Sequence, residues 1–298
     1  MLSMFENDLI VIENGVLREC KDNDLMTISI PDGTIAIADN VFRNCTNLIE
    51  ITLPPTLTKI GSHTFEGCSS LTAVDLSNVN IIGEYAFSGC ISLNEIAFSD
   101  KIGYLCNGIF LGCTGLRKIT LPTNIAYIGC ECFKDCSSLS DITMLSVMEI
   151  DNNAFEGCSG LCSIELPKTL MHISPNAFSF CDHLQTVQLQ NRSVDIDETA
   201  FENTVNIIIQ STQYSTSYEF ADRQHFRFLP AVFDEAHRII TSEQVAKLAK
   251  AGVMFQMKEI DKENAVIRFD KGQAPKIESV IGKDTAVIKQ EKESEANG

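Results

Sequence analysis

The sequence predicts a repeat solenoid, and three observations predict it. Phenylalanine recurs at Phe42, Phe65, Phe87, Phe110, Phe133, Phe155, Phe178 and Phe201, in steps of 22 or 23 residues. Cysteine stands three residues after each of the first seven, at Cys45, Cys68, Cys90, Cys113, Cys136, Cys158 and Cys181, and Thr204 takes its place in the eighth. Apolar residues also fall at fixed offsets from each Phe. Leucine recurs six residues on (Leu48, Leu71, Leu93, Leu116, Leu139, Leu161, Leu184), and an Ile or Leu recurs five residues before (Ile37 to Ile196). A fixed period in this range marks supersecondary units that each bury their apolar face only against the next.

The chain opens with residues 1–24, read as an N-terminal cap. Leu9 to Leu17 places Asn14-Gly15 between two apolar runs, which predicts a tight hairpin because both turn residues must reach positive φ. A hairpin there would cover the first open edge of the solenoid. Residues 25–211 hold the repeats. Nine and eleven residues after each Phe stand pairs such as Ile51/Leu53, Val74/Leu76 and Ile119/Leu121, an alternation that predicts a strand with one face inward. A second short extended piece is expected around the Ile five residues before the Phe. A helical or 3₁₀ turn is expected to carry Ala-Phe-x-Gly-Cys, with Gly67, Gly89, Gly112 and Gly157 supplying a tight bend. Pro54, Pro122 and Pro167 stand at strand ends, where a missing donor is harmless.

Residues 212–230 read as a C-terminal cap made of a short helix and a closing strand. The period is lost at residues 231–270, where a small αββ module is expected. Thr241-Ser242-Glu243-Gln244 matches a capping box, Gly252 stands where the helix would stop, and a hairpin follows. Residues 271–298 are polar at their end and are read as a disordered tail.

The repeating unit Ile-Gly-x-x-Ala-Phe-x-Gly-Cys-x-x-Leu-x-x-Ile-x-Leu-Pro resembles the leucine-rich repeats of the BspA-like type over residues 25–211. The openings Ile12 to Leu17 and Ile30-Pro31-Asp32-Gly33 look like the start of members from gut Firmicutes. The resemblance implies a right-handed leucine-rich-repeat solenoid, mostly β, with a parallel concave sheet of about nine rungs. It also implies binding or adhesion rather than catalysis.

Charge narrows the partners. The net charge is −17, and residues 231–298 hold only −1 of it, so the repeats are the acidic part. Nucleic acid is a poor partner for such a surface. No stretch approaches the ~18 apolar residues of a membrane helix, and Met1 to Asp8 lacks the basic start and apolar run of a Sec signal. Cytoplasmic residence is the expectation, with the cell surface, reached by a non-standard export route, as the alternative.

Twelve cysteines invite a disulfide or metal reading. The seven periodic ones would form a column of parallel side chains about 4.8 Å apart, a poor arrangement for S–S bonds. Buried packing in a reducing compartment is the better reading. Cys130, Cys132 and Cys136 form C-x-C-x₃-C, which lacks the paired C-x₂-C spacing of zinc sites. The five histidines are scattered, and no phosphate loop or HExxH occurs. No cofactor, metal or catalytic residue is expected, because catalysis needs a convergent set of groups.

A binding role would sit on the outward strand positions, eight and ten residues after each Phe. The candidates are Glu50, Thr52, Asp75, Glu95, Lys118, Thr120, Asp141, Thr143, Glu165 and Gln188. Strand alternation puts all of them on one polar, mildly acidic face suited to an unidentified protein partner. The competing reading is that these residues only solvate the sheet, with threonine present as a good strand former.

Overall fold

The computed structural model describes residues 9–211, 215–230, 235–253, 256–259, 264–270 and 274–281. Residues 1–8 of the expected cap and 282–298 of the expected tail lie outside them. The chain divides into two units, Met1–Ala231 and Val232–Gly298.

Unit one begins with the hairpin β1 (Ile10–Glu13) and β2 (Val16–Cys20), turned by Asn14 (φ 52°) and Gly15 (φ 75°). A longer and a shorter strand then alternate. They are β3 (Thr27–Ser29) and β4 (Ala36–Ile37), β5 (Glu50–Thr52) and β6 (Lys59–Ile60), and β7 (Ala73–Leu76) and β8 (Ile81–Ile82). Next come β9 (Glu95–Phe98) and β10 (Tyr104–Leu105), β11 (Lys118–Thr120) and β12 (Tyr127–Ile128), and β13 (Asp141–Thr143) and β14 (Glu149–Ile150). The series closes with β15 (Ser163–Leu166) and β16 (His172–Ile173), β17 (Thr186–Leu189) and β18 (Asp195–Ile196), β19 (Ile208–Ser211), α1 (Thr216–Arg223) and β20 (Arg227–Pro230).

The odd-numbered strands from β3 stack in parallel as the long sheet, which β20 ends, and the even-numbered strands from β4 to β18 stack as the short sheet. From β3 to β20 unit one is a parallel β-solenoid. Register follows the period: Ser163 pairs with Thr186 and Thr186 with Ile208, each one repeat away. The ladder is not continuous. The long sheet breaks between β9 and β11 and again between β13 and β15, and the short sheet breaks between β8 and β10.

The third side of each coil is the Phe–Cys turn. The expected 3₁₀ turn takes the form of isolated single turns that do not run on into a helix, closed by bonds such as Cys68 N–H to Phe65 O (3.0 Å) and Leu71 N–H to Cys68 O (3.1 Å). The reason is backbone handedness. The residue two after each Phe is left-handed, including Gly67, Gly89, Gly112 and Gly157 at φ 70–74°, and so are His63, Tyr85 and Glu131 two before it, at φ 55–56°. A left-handed residue at both flanks stops any helical run.

Behind the sheets the Phe rings form one column. From Phe42 to Phe201 neighbouring centroids lie 5.1–5.8 Å apart and the planes differ by 2–16°. Phe220 and Phe226 close it beyond Phe201. The cysteines form a second column with a definite bond. Each Sγ–H from Cys68 to Cys181 donates to the carbonyl of the Phe one repeat back, at 3.0–3.2 Å. Thr204 makes the same bond, from Oγ1 to Phe178 O at 2.7 Å. A small side chain carrying one donor suits this position, because each Phe carbonyl from Phe42 to Phe155 already accepts the Cys N–H of its own turn and the side chain fills its second lone pair. Thr204 fits the rule that it breaks in sequence.

Unit two is β21 (Glu235–Thr241), α2 (Ser242–Lys250), β22 (Gln256–Glu259), β23 (Asn264–Asp270) and α3 (Ala274–Ile281), an antiparallel sheet in the order β21-β23-β22. This corrects the expected αββ module to βαββα. The added β21 pairs along all seven residues with β23, so it forms although Glu235 to Thr241 shows no clean alternation. The added α3 overturns the disordered reading for 274–281. Pro275 lies in its first turn, where a missing N–H costs nothing, and Ile277 is buried. Helix α2 ends on Gly252 (φ 62°), with Val253 N–H bonded back to Leu248 O at 3.1 Å.

Candidate functional site

The outward side chains of the long sheet share one face because strand residues alternate. Glu50, Thr52, Asp75, Glu95, Lys118, Thr120, Asp141 and Glu165 are exposed, and Thr143 and Gln188 are half-buried. Their inward neighbours Ile51, Val74, Ile119, Ile142, Ile164 and Val187 are all at most 9% exposed. Each strand thus anchors its outward residues on a packed core.

Register decides which candidates meet. Glu50 and Glu95 are separated by Ala73, which pairs with both. Lys118 lies beside Asp141 and Thr120 beside Thr143. Glu165 lies beside Gln188. The candidates are therefore brought together in pairs and short rows, and the two breaks in the ladder divide them into three groups.

Electrostatics refine the acidic reading. Lys118 Nζ lies 2.7 Å from Asp141 Oδ2, an exposed pair. Such pairs contribute about 0–1 kcal/mol, so this one sets local charge more than stability. A cleft of about 470 Å³ opens where β13 and β15 part, lined by 140–145 on one rung and by Ser163, Ile164, Glu165, Pro167 and Lys168 on the next. Gln190 reaches in from a third rung and its amide donates to Glu165. With Lys118 and Lys168 offsetting Asp141 and Glu165, this part of the face is close to neutral. The acidic end is the Glu50, Asp75 and Glu95 group. Gln190 was not evident from the sequence, because it lies beyond the periodic strand positions. Exposed Leu145 at the cleft was not either, because it stands in the turn after the strand.

A second polar surface follows the Phe–Cys turns. Arg43 and His63 both contact Glu66, at 2.9 and 2.6 Å. The His63 and Tyr85 rings stack at 5.3 Å. Tyr85 passes over Gly108, where a Cβ would fall 2.2 Å from its ring, and its hydroxyl donates to Glu131 at 3.4 Å. Burial, then the nearby Glu131 carboxylate, raises the Tyr85 hydroxyl pKa. Lys134 joins Glu131 to Glu156. The row is internally satisfied.

The buried column thiols offer no nucleophile. Burial pushes Cys68, Cys136 and Cys181 up to about 12 and Cys45 to about 11. In the C-x-C-x₃-C stretch Cys132 and Cys136 are buried and Cys130 is half-buried. Among the described residues no three His, Cys, Asp or Glu side chains converge as a metal site. Among the same residues no helix is long and apolar enough to cross a membrane.

Comparison with known proteins bears on this geometry. The sequence profile of the BspA type leucine-rich repeat region matches in six copies over residues 10–139 and 106–227. No curated protein sequence matches. Among solved structures, a leucine-rich repeat protein of T. pallidum is 26% identical, with a TM-score of 0.53 over 59% of this chain and 86% of its own. One from Eubacterium ventriosum is 24% identical, with a TM-score of 0.46 over 58% of this chain and 50% of its own. The pneumococcal vaccine antigen PcpA is 17% identical, with a TM-score of 0.41 over 70% and 69%.

Proposed function

This chain belongs to the BspA-type leucine-rich-repeat family, and from that premise we propose that it is a non-enzymatic scaffold that binds a protein partner on the outward face of its long sheet. One observation carries the reading. Outward residues change from rung to rung, from Glu50 to Ala73 to Glu95 and from Lys118 to Asp141, over inward residues that stay Ile or Val. A fixed frame with a variable face is how solenoids present extended binding surfaces. The face has few aromatic anchors, so affinity would come from many polar contacts and would weaken with salt.

The test is charge reversal. Glu50, Glu95, Asp141 and Glu165 are changed to Lys together, and partners retained by the immobilised full chain are compared with those of the parent. Loss of the retained set is expected, and an unchanged set would reject the face. The same comparison without residues 232–298 reports whether the second unit contributes.

The proposed compartment is the cytoplasm. Twelve free cysteines, most of them buried, are compatible with a reducing setting. Fractionation of intact cells is expected to recover the chain with the cytosol. Recovery on the cell surface would favour the alternative function instead, a cell-surface adhesin or host-matrix binding protein.

A further inference from the structure

We infer that the solenoid carries a hinge at one step, between the coil of Phe87 and the coil of Phe110. It flexes about the Phe–Cys turn column and opens the outward face between Glu95 and Lys118. The inference does not depend on what that face binds.

Backbone bonding shows the weak step. At every other step from the Phe42 coil to the Phe201 coil at least one sheet holds a coil to its neighbour. Ser140 and Asp141 N–H reach Arg117 O at 2.9 and 3.2 Å in the long sheet, and Gly83 and Gly129 N–H reach Ile60 and Leu105 O at 2.9 Å in the short one. Between the Phe87 and Phe110 coils neither sheet is paired, since β8 does not join β10 and β9 does not join β11. The break between β13 and β15 is different, because β14 and β16 remain paired beside it.

The turn side of the same step stays closed, which fixes the axis. Tyr85, Phe87 and Gly89 N–H donate to Asn107, Ile109 and Leu111 O at 2.9, 2.9 and 2.7 Å. Cys113 Sγ reaches Phe87 O at 3.1 Å. The Tyr85 side chain spans the Phe110 coil to reach Glu131 in the coil beyond.

Phe98 is the wedge. It stands eleven residues after its column Phe, where Leu76, Leu121, Met144, Leu166 and Leu189 are buried and Leu53 is partly buried. Its larger ring is only partly buried and stands edge-on to Phe110 at 6.1 Å. Ile96, the inward residue of the same strand, is the one member of its row left partly buried. The Phe87–Phe110 spacing, 5.8 Å, is the widest in the column. Asn80 Oδ1, just before β8, is buried without a hydrogen-bond partner.

Amide hydrogen exchange on the intact chain tests the hinge. By register with Ser140, Asp141 and Thr143, the amides of Arg117, Lys118 and Thr120 face the long-sheet gap, and that of Cys106 faces the short-sheet gap. Both sets are expected to exchange about a hundredfold faster than the counterparts at 140–143 and at Gly129, as local opening of a weak step requires. Equal protection across the step would overturn the hinge. Fast exchange in the long sheet alone would overturn it too, since that is a one-sided gap like the one between β13 and β15. Phe98→Leu is expected to slow both sets by about tenfold, and no slowing would remove Phe98 as the wedge.

Discussion

Phe133→Ala is expected to destabilise the repeat unit by about 3–5 kcal/mol, the usual loss for a large aromatic side chain taken from a packed core. Phe133 has no exposed surface and stacks on Phe110 at 5.5 Å and on Phe155 at 5.2 Å. The empty place would lie between two rings, each held by its own coil, so neither can move in to fill it. Repeat proteins are stabilised mainly by contacts between neighbours, so a defect in the middle uncouples the two sides. Urea unfolding followed by circular dichroism should therefore lose its single transition and show two. Phe133→Leu keeps most of the volume and should cost less than about 1.5 kcal/mol. An alanine variant as stable as the parent would mean that the column is not a continuous core.

Alkaline unfolding is the second large effect. The ordinary thiol value is 9.0, and burial holds Cys68, Cys136 and Cys181 near 12 and Cys45 near 11, with Cys90, Cys113 and Cys158 also raised well above 9. Between these values the unfolded chain has lost protons that the folded chain keeps. Stability is thus full below pH 9 and falls as pH rises towards 12, by about 1.4 kcal/mol per pH unit for each thiol. Seven column cysteines acting together would unfold the repeats well before pH 12. Cys68→Ser, Cys136→Ser and Cys181→Ser together keep a donor for each Phe carbonyl but remove three of the titrating protons. The pH dependence of the urea midpoint above pH 9 should flatten accordingly, and an unchanged slope would mean that the column thiols do not govern it.

Much of the architecture was legible because it is periodic. Phe, Cys, Leu and Ile recur at offsets that survive any single substitution, and the burial of Phe42, Cys45, Leu48 and Ile51 follows from them directly. The outward face was legible for the same reason, since a strand with Ile119 inside must turn Lys118 and Thr120 out. What escaped was what the period does not encode. Left-handed His63 and Tyr85 look like ordinary surface residues, and only the stacked turns force their φ. The Lys118–Asp141 pair needs a register between repeats that composition alone does not give. Strand β21 is held by its pairing with β23 rather than by its own pattern. Phe98 looks like one more apolar residue in a Leu row, and its effect shows only where the ladder stops.

The thiol–carbonyl bond has a consequence for how such a chain can lengthen or shorten in evolution. Each Cys from Cys68 onward reaches back one coil and no further. An in-frame duplication or loss of an inner copy leaves every remaining thiol facing some Phe carbonyl, so copy number can drift without loss of this bond. The first copy is an exception, because Cys45 finds Asn23 Oδ1 at 3.7 Å instead of a Phe carbonyl. The last is another, because Thr204 supplies the bond next to the Phe220 and Phe226 closure. For this bond the interior copies are interchangeable and the two ends are not, so new recognition surfaces can arise by shuffling rungs between fixed terminal pieces.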